Sequence, residues 1–136
     1  MIEISNRSRS IINEKKIKKV IELFLDYKRK SKLDVSIAFV GDKKIQKFNN
    51  EYRGINKTTD ILSFSGEENL LGELIINYSQ IKRQAKKFKN TINQELVFIL
   101  VHGLLHLMGD NDDTDIKRKN MIKRGEEIIK ELNLKI

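Results

Sequence analysis

The sequence of 136 residues contains no cysteine. Disulfides, thiolate zinc sites and thiol nucleophiles are thereby excluded, and any transition-metal site has to be built from His, Asp or Glu. Proline is absent as well. With Lys, Ile and Asn abundant, that absence reads as genomic base composition rather than function. Long apolar runs are also missing. The most hydrophobic stretch, near residue 100, falls short of the ~20 residues a bilayer crossing needs. Residues 1–12 carry no apolar segment of the secretory type. The expectation is a cytoplasmic protein with no membrane partner, folded as one domain over residues 1–136.

Anionic side chains are the scarcer sign. Lys and Arg number 27 against 19 Asp and Glu, a formal net charge of +8. The excess is clustered at Lys15-Lys16-Ile17-Lys18-Lys19, at Lys28-Arg29-Lys30-Ser31-Lys32, at Lys82-Arg83 with Lys86-Lys87, and at Lys117-Arg118-Lys119 with Lys123-Arg124. One such cluster is an ordinary solvated helix face. Four of them, with the net charge, favour a polyanion such as nucleic acid, which basic patches bind by releasing counterions.

Hydrophobic periodicity divides the chain into strands and helices. Residues 1–5 alternate as a short strand, and Asp34 to Val40 reads as a second, ended by Gly41-Asp42. Ile17, Val20, Ile21, Phe24 and Leu25 fall on one helical stripe. A short helix is expected from about Lys43 to Asn50, followed by a polar loop from Gly54 to Thr58. Ile61 to Phe64 and Leu70 to Ile76 are two more strands, joined closely enough for an antiparallel pair. Three helices follow. Tyr78 to Phe88 is basic and amphipathic. Asn93 to Met108 is apolar all round and should be the central buried helix. The last runs from about Thr114 to Leu132, with Met121, Ile122, Ile128, Ile129 and Leu132 on one face and Gly125 available for a close helix contact. The architecture expected is α+β: a small four-stranded mixed sheet packed with about five helices.

Histidine is scarce, and both copies lie in one run, His102-Gly103-Leu104-Leu105-His106-Leu107-Met108-Gly109-Asp110-Asn111-Asp112-Asp113. Positions i and i+4 share a helix face, so two imidazoles can grip one divalent ion. Alternatively, such a pair is a satisfied polar pair at a helix surface. The apolar surroundings favour a cleft site, because a buried imidazole needs partners. Gly109 can end the helix in a left-handed conformation. The chain then doubles back, and an acidic residue can reach the same ion. Asp112 is the favoured third ligand, with Asp113 and Asp110 as alternatives and Asp113 or Thr114 left to cap the last helix. A zinc peptidase of the H-E-x-x-H type carries glutamate directly after the first histidine. Here Gly103 stands in that place, which argues against proteolysis. A two-histidine-one-carboxylate iron oxygenase is disfavoured because both histidines sit on one helix of an α+β sandwich.

The run resembles the metal motif of the YbeY family of bacterial endoribonucleases, His-Gly-x-Leu-His-Leu-x-Gly-Tyr-Asp-His, at His102, Gly103, Leu105, His106, Leu107 and Gly109. Two further blocks are similar and in the same order: Asn49-Asn50-Glu51-Tyr52-Arg53 with Thr59-Asp60-Ile61-Leu62-Ser63-Phe64, and Leu71-Gly72-Glu73-Leu74-Ile75-Ile76. The resemblance covers nearly the whole chain. It implies a metal-dependent, single-strand-specific endoribonuclease acting in rRNA maturation at the 16S 3′ end and in ribosome quality control. Its cofactor would be one Zn2+ per chain or another divalent metal. Its partners would be rRNA precursor and the ribosome or small subunit, with no DNA. It further implies metal ligands at His102, His106 and Asp112 and a catalytic role for Arg53 on the scissile phosphate. Thr59, Asp60 and Ser63 are expected to be structural. Glu73 and Glu95 carry no expected catalytic role; Glu95 should sit at the start of the buried helix. One departure matters: Asp112 aligns with the family's third histidine. An anionic ligand lowers the charge of the ion centre by one and suits harder metals better than a third imidazole does. The rival reading is a non-catalytic ribosome-assembly factor with a structural metal.

Overall fold

Four strands interleaved with two helices come first along the chain, and three helices follow. The structure, a computed structural model of residues 1–136, runs β1 (Ile2–Asn6), α1 (Glu14–Tyr27), β2 (Asp34–Val40), α2 (Asp42–Arg53), β3 (Ile61–Ser65), β4 (Leu70–Asn77), α3 (Tyr78–Phe88), α4 (Ile92–Leu107) and α5 (Asp115–Leu132). The sheet order is β1-β2-β4-β3. β1 and β4 both pair in parallel with β2, and β3 pairs antiparallel with β4. The expected α+β class with a mixed sheet is what forms. A two-residue period sends Val35, Ile37 and Phe39 of β2, with Leu74 and Ile76 of β4, to one face. There they join α1, α4 and α5 in a core of 22 buried residues. The opposite face carries Val40, Leu62 and Ile75, which meet Ile45 of α2 in a second cluster of only four.

α4 is the axis of the larger core, with ten of its 16 residues buried. Its first turn is closed by a capping box between Thr91 and Gln94, which satisfies two of the orphan amides at the helix start. Glu95 lies one position further in, 4% exposed, and accepts hydrogen bonds from Gln84 (3.3 Å) and Asn90 (3.2 Å). The helix approaches the sheet closely. A Cβ at Gly103 would lie 2.6 Å from Ile61 Cδ1 and 3.0 Å from Leu74 Cδ2. Position 103 therefore faces the sheet, so a glutamate there would be driven into the core rather than the cleft. Gly125 is different. It faces Val101 and Leu105, but an added Cβ would meet them at 3.6 and 3.7 Å, ordinary van der Waals contact. The close contact expected at Gly125 does not require glycine.

α2 runs three residues beyond the expected end at Asn50, because nothing before Gly54 breaks it. Gly54 then takes φ +69° and its amide donates to the Asn50 carbonyl at 3.0 Å, a left-handed helix end that glycine adopts without Cβ strain. The loop that follows is tied down by side chains. Asn49 Nδ2 donates to the Lys57 carbonyl at 2.9 Å. Buried Asn77 donates to Asp42 Oδ1 (2.6 Å) and Thr58 Oγ1 (3.1 Å). Arg83 forks onto both Asp42 oxygens at 2.6 and 3.2 Å. These bonds from Arg83 and Asn77 hold the Asp42 carboxyl below its ordinary 3.8. No helix is long and apolar enough to cross a membrane.

Two expectations follow for stability. Leu100, fully buried, should cost about 2–5 kcal/mol on truncation to alanine. Gly125→Ala should gain up to about 1 kcal/mol, because helix propensity improves where space exists. Denaturant melts of the two variants check both signs. The Asp42 linkage is separate. Its folded value lies below the unfolded one, so the folded chain binds fewer protons there. Its contribution is complete well above pH 3.8 and is lost as pH falls through the lowered folded value. Asp42→Asn should remove that part of the acid-induced loss, read from denaturant melts at descending pH.

Candidate metal centre

α4 ends at Leu107 in a Schellman turn. Gly109 donates to the His106 carbonyl at 3.0 Å and Asp110 donates to the Leu105 carbonyl at 3.1 Å. Gly109 sits at φ +98°, a conformation in which an L side chain would be strained. The reversal brings the acidic loop back across the last two turns of the helix. Asp112 Oδ2 then lies 3.5 Å from His102 Nε2 and 3.5 Å from His106 Nε2. All three donor atoms fall within 4.8 Å of one another. Ligands at about 2.1 Å from a tetrahedral ion stand about 3.4 Å apart, and the two 3.5 Å spacings from Asp112 match that separation. The group can hold a metal ion.

The protonation states agree with that geometry. His106 Nδ1 is 3.1 Å from the Asp110 carbonyl oxygen. A carbonyl only accepts, so the proton resides on Nδ1. In the neutral ring the Nε2 lone pair is then free and faces Asp112, as orientation by an outer hydrogen bond produces in metal sites. For His102, burial lowers the pKa below 6.5, repulsion from His106 adds to this, and Asp112 and Asp60 oppose it. His102 is therefore neutral at pH 7. Phe98, one turn earlier on the same face, stacks on the His102 ring at 6.0 Å between centroids, with 25° between the planes.

The three groups form part of the wall of a cleft of about 700 Å3 that crosses the edge strand β3. The α4 side supplies Phe98, His102 and His106, and the loop supplies Asp112. Across β3, the last turn of α2 supplies Tyr52 and Arg53, while α5, which packs on α4, supplies Arg118. His102, His106, Asp112 and Arg53 thus meet in one cleft. The alternatives to Asp112 point elsewhere. Asp110 pairs with Arg124 at 3.0 Å and Asp113 with Lys117 at 3.4 Å. Thr114, not Asp113, caps α5, accepting from the Lys117 amide at 3.1 Å.

Asp60, read from sequence as structural, lines the cleft, acts on His102 through its charge and accepts from Gln84 at 3.2 Å. Gln84 also reaches Glu95, so the buried carboxylate is linked to the cleft through one amide. Thr59 and Ser63 are wall residues. Glu73 pairs across the sheet with Phe64 on the face away from α4. Arg118 was legible only as one member of a basic cluster. Its spacing of four from Ile122, another wall residue, is the signal that separates it from its neighbours.

An α+β fold with two histidines and one carboxylate in a cleft that also holds two arginines defines a class of candidate metalloproteins. Comparison with known proteins narrows it. Residues 3–133 match the family described as endoribonuclease YbeY. The chain is 40% identical to endoribonuclease YbeY of Thermodesulfovibrio yellowstonii, with 96% of each chain covered. It is 33% identical to that of Clostridioides difficile, covering 88% of this chain and 85% of the relative. It also resembles the solution structure of TM1509 from Thermotoga maritima, with TM-score 0.69 and 26% identity over 97% of this chain and 89% of that one. The chain belongs to the endoribonuclease YbeY family.

If Asp112 is the third ligand, Asp112→Ala and His106→Ala should each weaken Zn2+ binding by more than the roughly 10–100-fold typical of outer-shell partners. Asp112→His should keep or improve it, and Asp113→Ala should leave it unchanged. Calorimetric titration checks all four. Loss of binding in both Asp112→His and Asp113→Ala would overturn the assignment.

Proposed function

We propose that the chain is a metal-dependent endoribonuclease that cuts single-stranded RNA. We further assign it to rRNA maturation at the 16S 3′ end and to ribosome quality control in the cytoplasm, with rRNA precursor and the small subunit as partners. The observation that carries the reading is the convergence of His102, His106 and Asp112 on one point of a cleft whose other wall holds Arg53. Zn2+ fits the donor set of two imidazoles and one carboxylate, and other divalent ions fit the carboxylate as well. A bound divalent ion supplies a Lewis acid that orients and acidifies a water for attack on phosphorus.

The chain's own groups supply the rest. The Asp110 carbonyl fixes the tautomer and angle of His106. Phe98 shields one side of His102 from water. Arg53 is exposed at the end of α2, free to fork onto two oxygens of the scissile phosphate. Its fixed charge then stabilises the negative charge that builds as the phosphodiester breaks. Of the four basic clusters only Arg118 lines this cleft. The other basic residues would hold RNA through its phosphates without reading bases.

The test is cleavage of a single-stranded RNA by wild type, His106→Ala and Arg53→Ala, with and without a chelator. Chelation and His106→Ala should abolish cutting. Arg53→Ala should lower kcat by about 100-fold or more, the scale of losing one transition-state donor. Folding and RNA binding should largely persist. An Arg53→Ala protein that cuts as wild type would remove Arg53 from the reaction, and a wild-type protein that binds RNA without cutting it would return the chain to the rival reading of a non-catalytic assembly factor.

A further inference from the structure

We propose that Tyr52, backed by Phe64, is a stacking seat for one unpaired nucleobase, next to the phosphate held at Arg53. The proposal rests on the nuclease reading above and names the side chain that makes the cleft select single strands. Tyr52 is 65% exposed, unusual for a large aromatic ring on the last turn of a helix that otherwise packs on a sheet. The ring is nonetheless held in place. Phe64 meets it edge to face, 5.2 Å between centroids at 67°, and Phe48 flanks it at 6.3 Å. Both phenylalanines pack against the small cluster on the α2 face of the sheet. Tyr52 and Phe64 line the same cleft as His102, His106 and Asp112.

The chemistry of that arrangement selects its occupant. An aromatic ring supported from behind and open in front gains by covering another flat π-surface. Every nucleobase offers one, so stacking tolerates any sequence. Arg53, the next residue along α2, places a permanent positive charge beside the ring, and a nucleotide presents a base and a phosphate side by side. Within a duplex the bases already stack on one another, so a paired base must leave its stack to reach Tyr52, whereas an unpaired base is free to do so.

The experiment uses a short single-stranded RNA carrying one 2-aminopurine, mixed with the full-length protein and Zn2+. Its fluorescence should be quenched on binding. Tyr52→Ala should abolish the quench and weaken Kd by about 5- to 150-fold, the span of alanine substitutions at base-stacking rings. Tyr52→Leu, which keeps apolar bulk without the ring, should behave like Tyr52→Ala, and Tyr52→Phe should restore both signals. The same RNA annealed to its complement should bind without the quench. An unchanged quench and Kd in correctly folded Tyr52→Ala and Tyr52→Leu overturn the seat, as does a duplex quenched like the single strand. If wild type quenches through Tyr52 but never cuts, the nuclease reading fails and the seat stands. If it cuts with a quench indifferent to Tyr52, the seat fails and the nuclease reading stands.

Discussion

The arrangement of the site depends on one reversal of the chain. Gly109 ends α4 at φ +98°, and the two carbonyls left over at the helix end are taken by the amides of Gly109 and Asp110. That turn does two things at once. It carries Asp112 back over the helix to both imidazoles, and it places the Asp110 carbonyl against His106 Nδ1. The ligand triangle and the tautomer that makes it useful are consequences of the same three residues of backbone. The helix that supports them is held by ten buried residues, so the histidines inherit their positions from the main core.

The metal run was the most legible part of the sequence, because its information is local. The i, i+4 spacing, the glycine and the acidic residues all lie within 12 positions, and helix geometry alone relates them. Strand and helix positions were readable for a similar reason, since Val35, Ile37 and Phe39 or Ile17, Val20 and Ile21 report their own period. What could not be read was anything set by long-range packing. The sheet order β1-β2-β4-β3 is one case. The extension of α2 to Arg53 is another: its polar last turn, Glu51-Tyr52-Arg53, carries no apolar repeat to announce it. Asp60 and Arg118 belong to the cleft only because β3 lies at the sheet edge between α2 and α4. The role of Gly125 was misjudged, since a glycine facing a neighbouring helix looks the same in sequence whether or not a methyl group would fit.

Charge is distributed with a division of labour. The cleft carries Asp112, His102 and His106, and its two cationic side chains are Arg53 and Arg118. No lysine lines it. A polyanion would be gathered by the outer surface and positioned by two arginines, while lysine ammonium groups are kept from competing with a cation for Asp112. Asp113 and Asp110 are neutralised locally by Lys117 and Arg124, which leaves Asp112 as the loop carboxylate directed at the histidines.

The two faces of the sheet are fastened unequally. The wall with the histidines belongs to a core of 22 side chains, whereas α2 is held by a cluster of four and by the polar ties around Asp42 and Asn77. Lifting α2 exposes little oil to water, so its local opening free energy is far smaller than that of α4. The side of the cleft bearing Arg53 is therefore the one expected to open first, and the side bearing His102 and His106 the last. Under the proposed reading a strand would be admitted and released on the weakly fastened side, away from the point where His102, His106 and Asp112 converge.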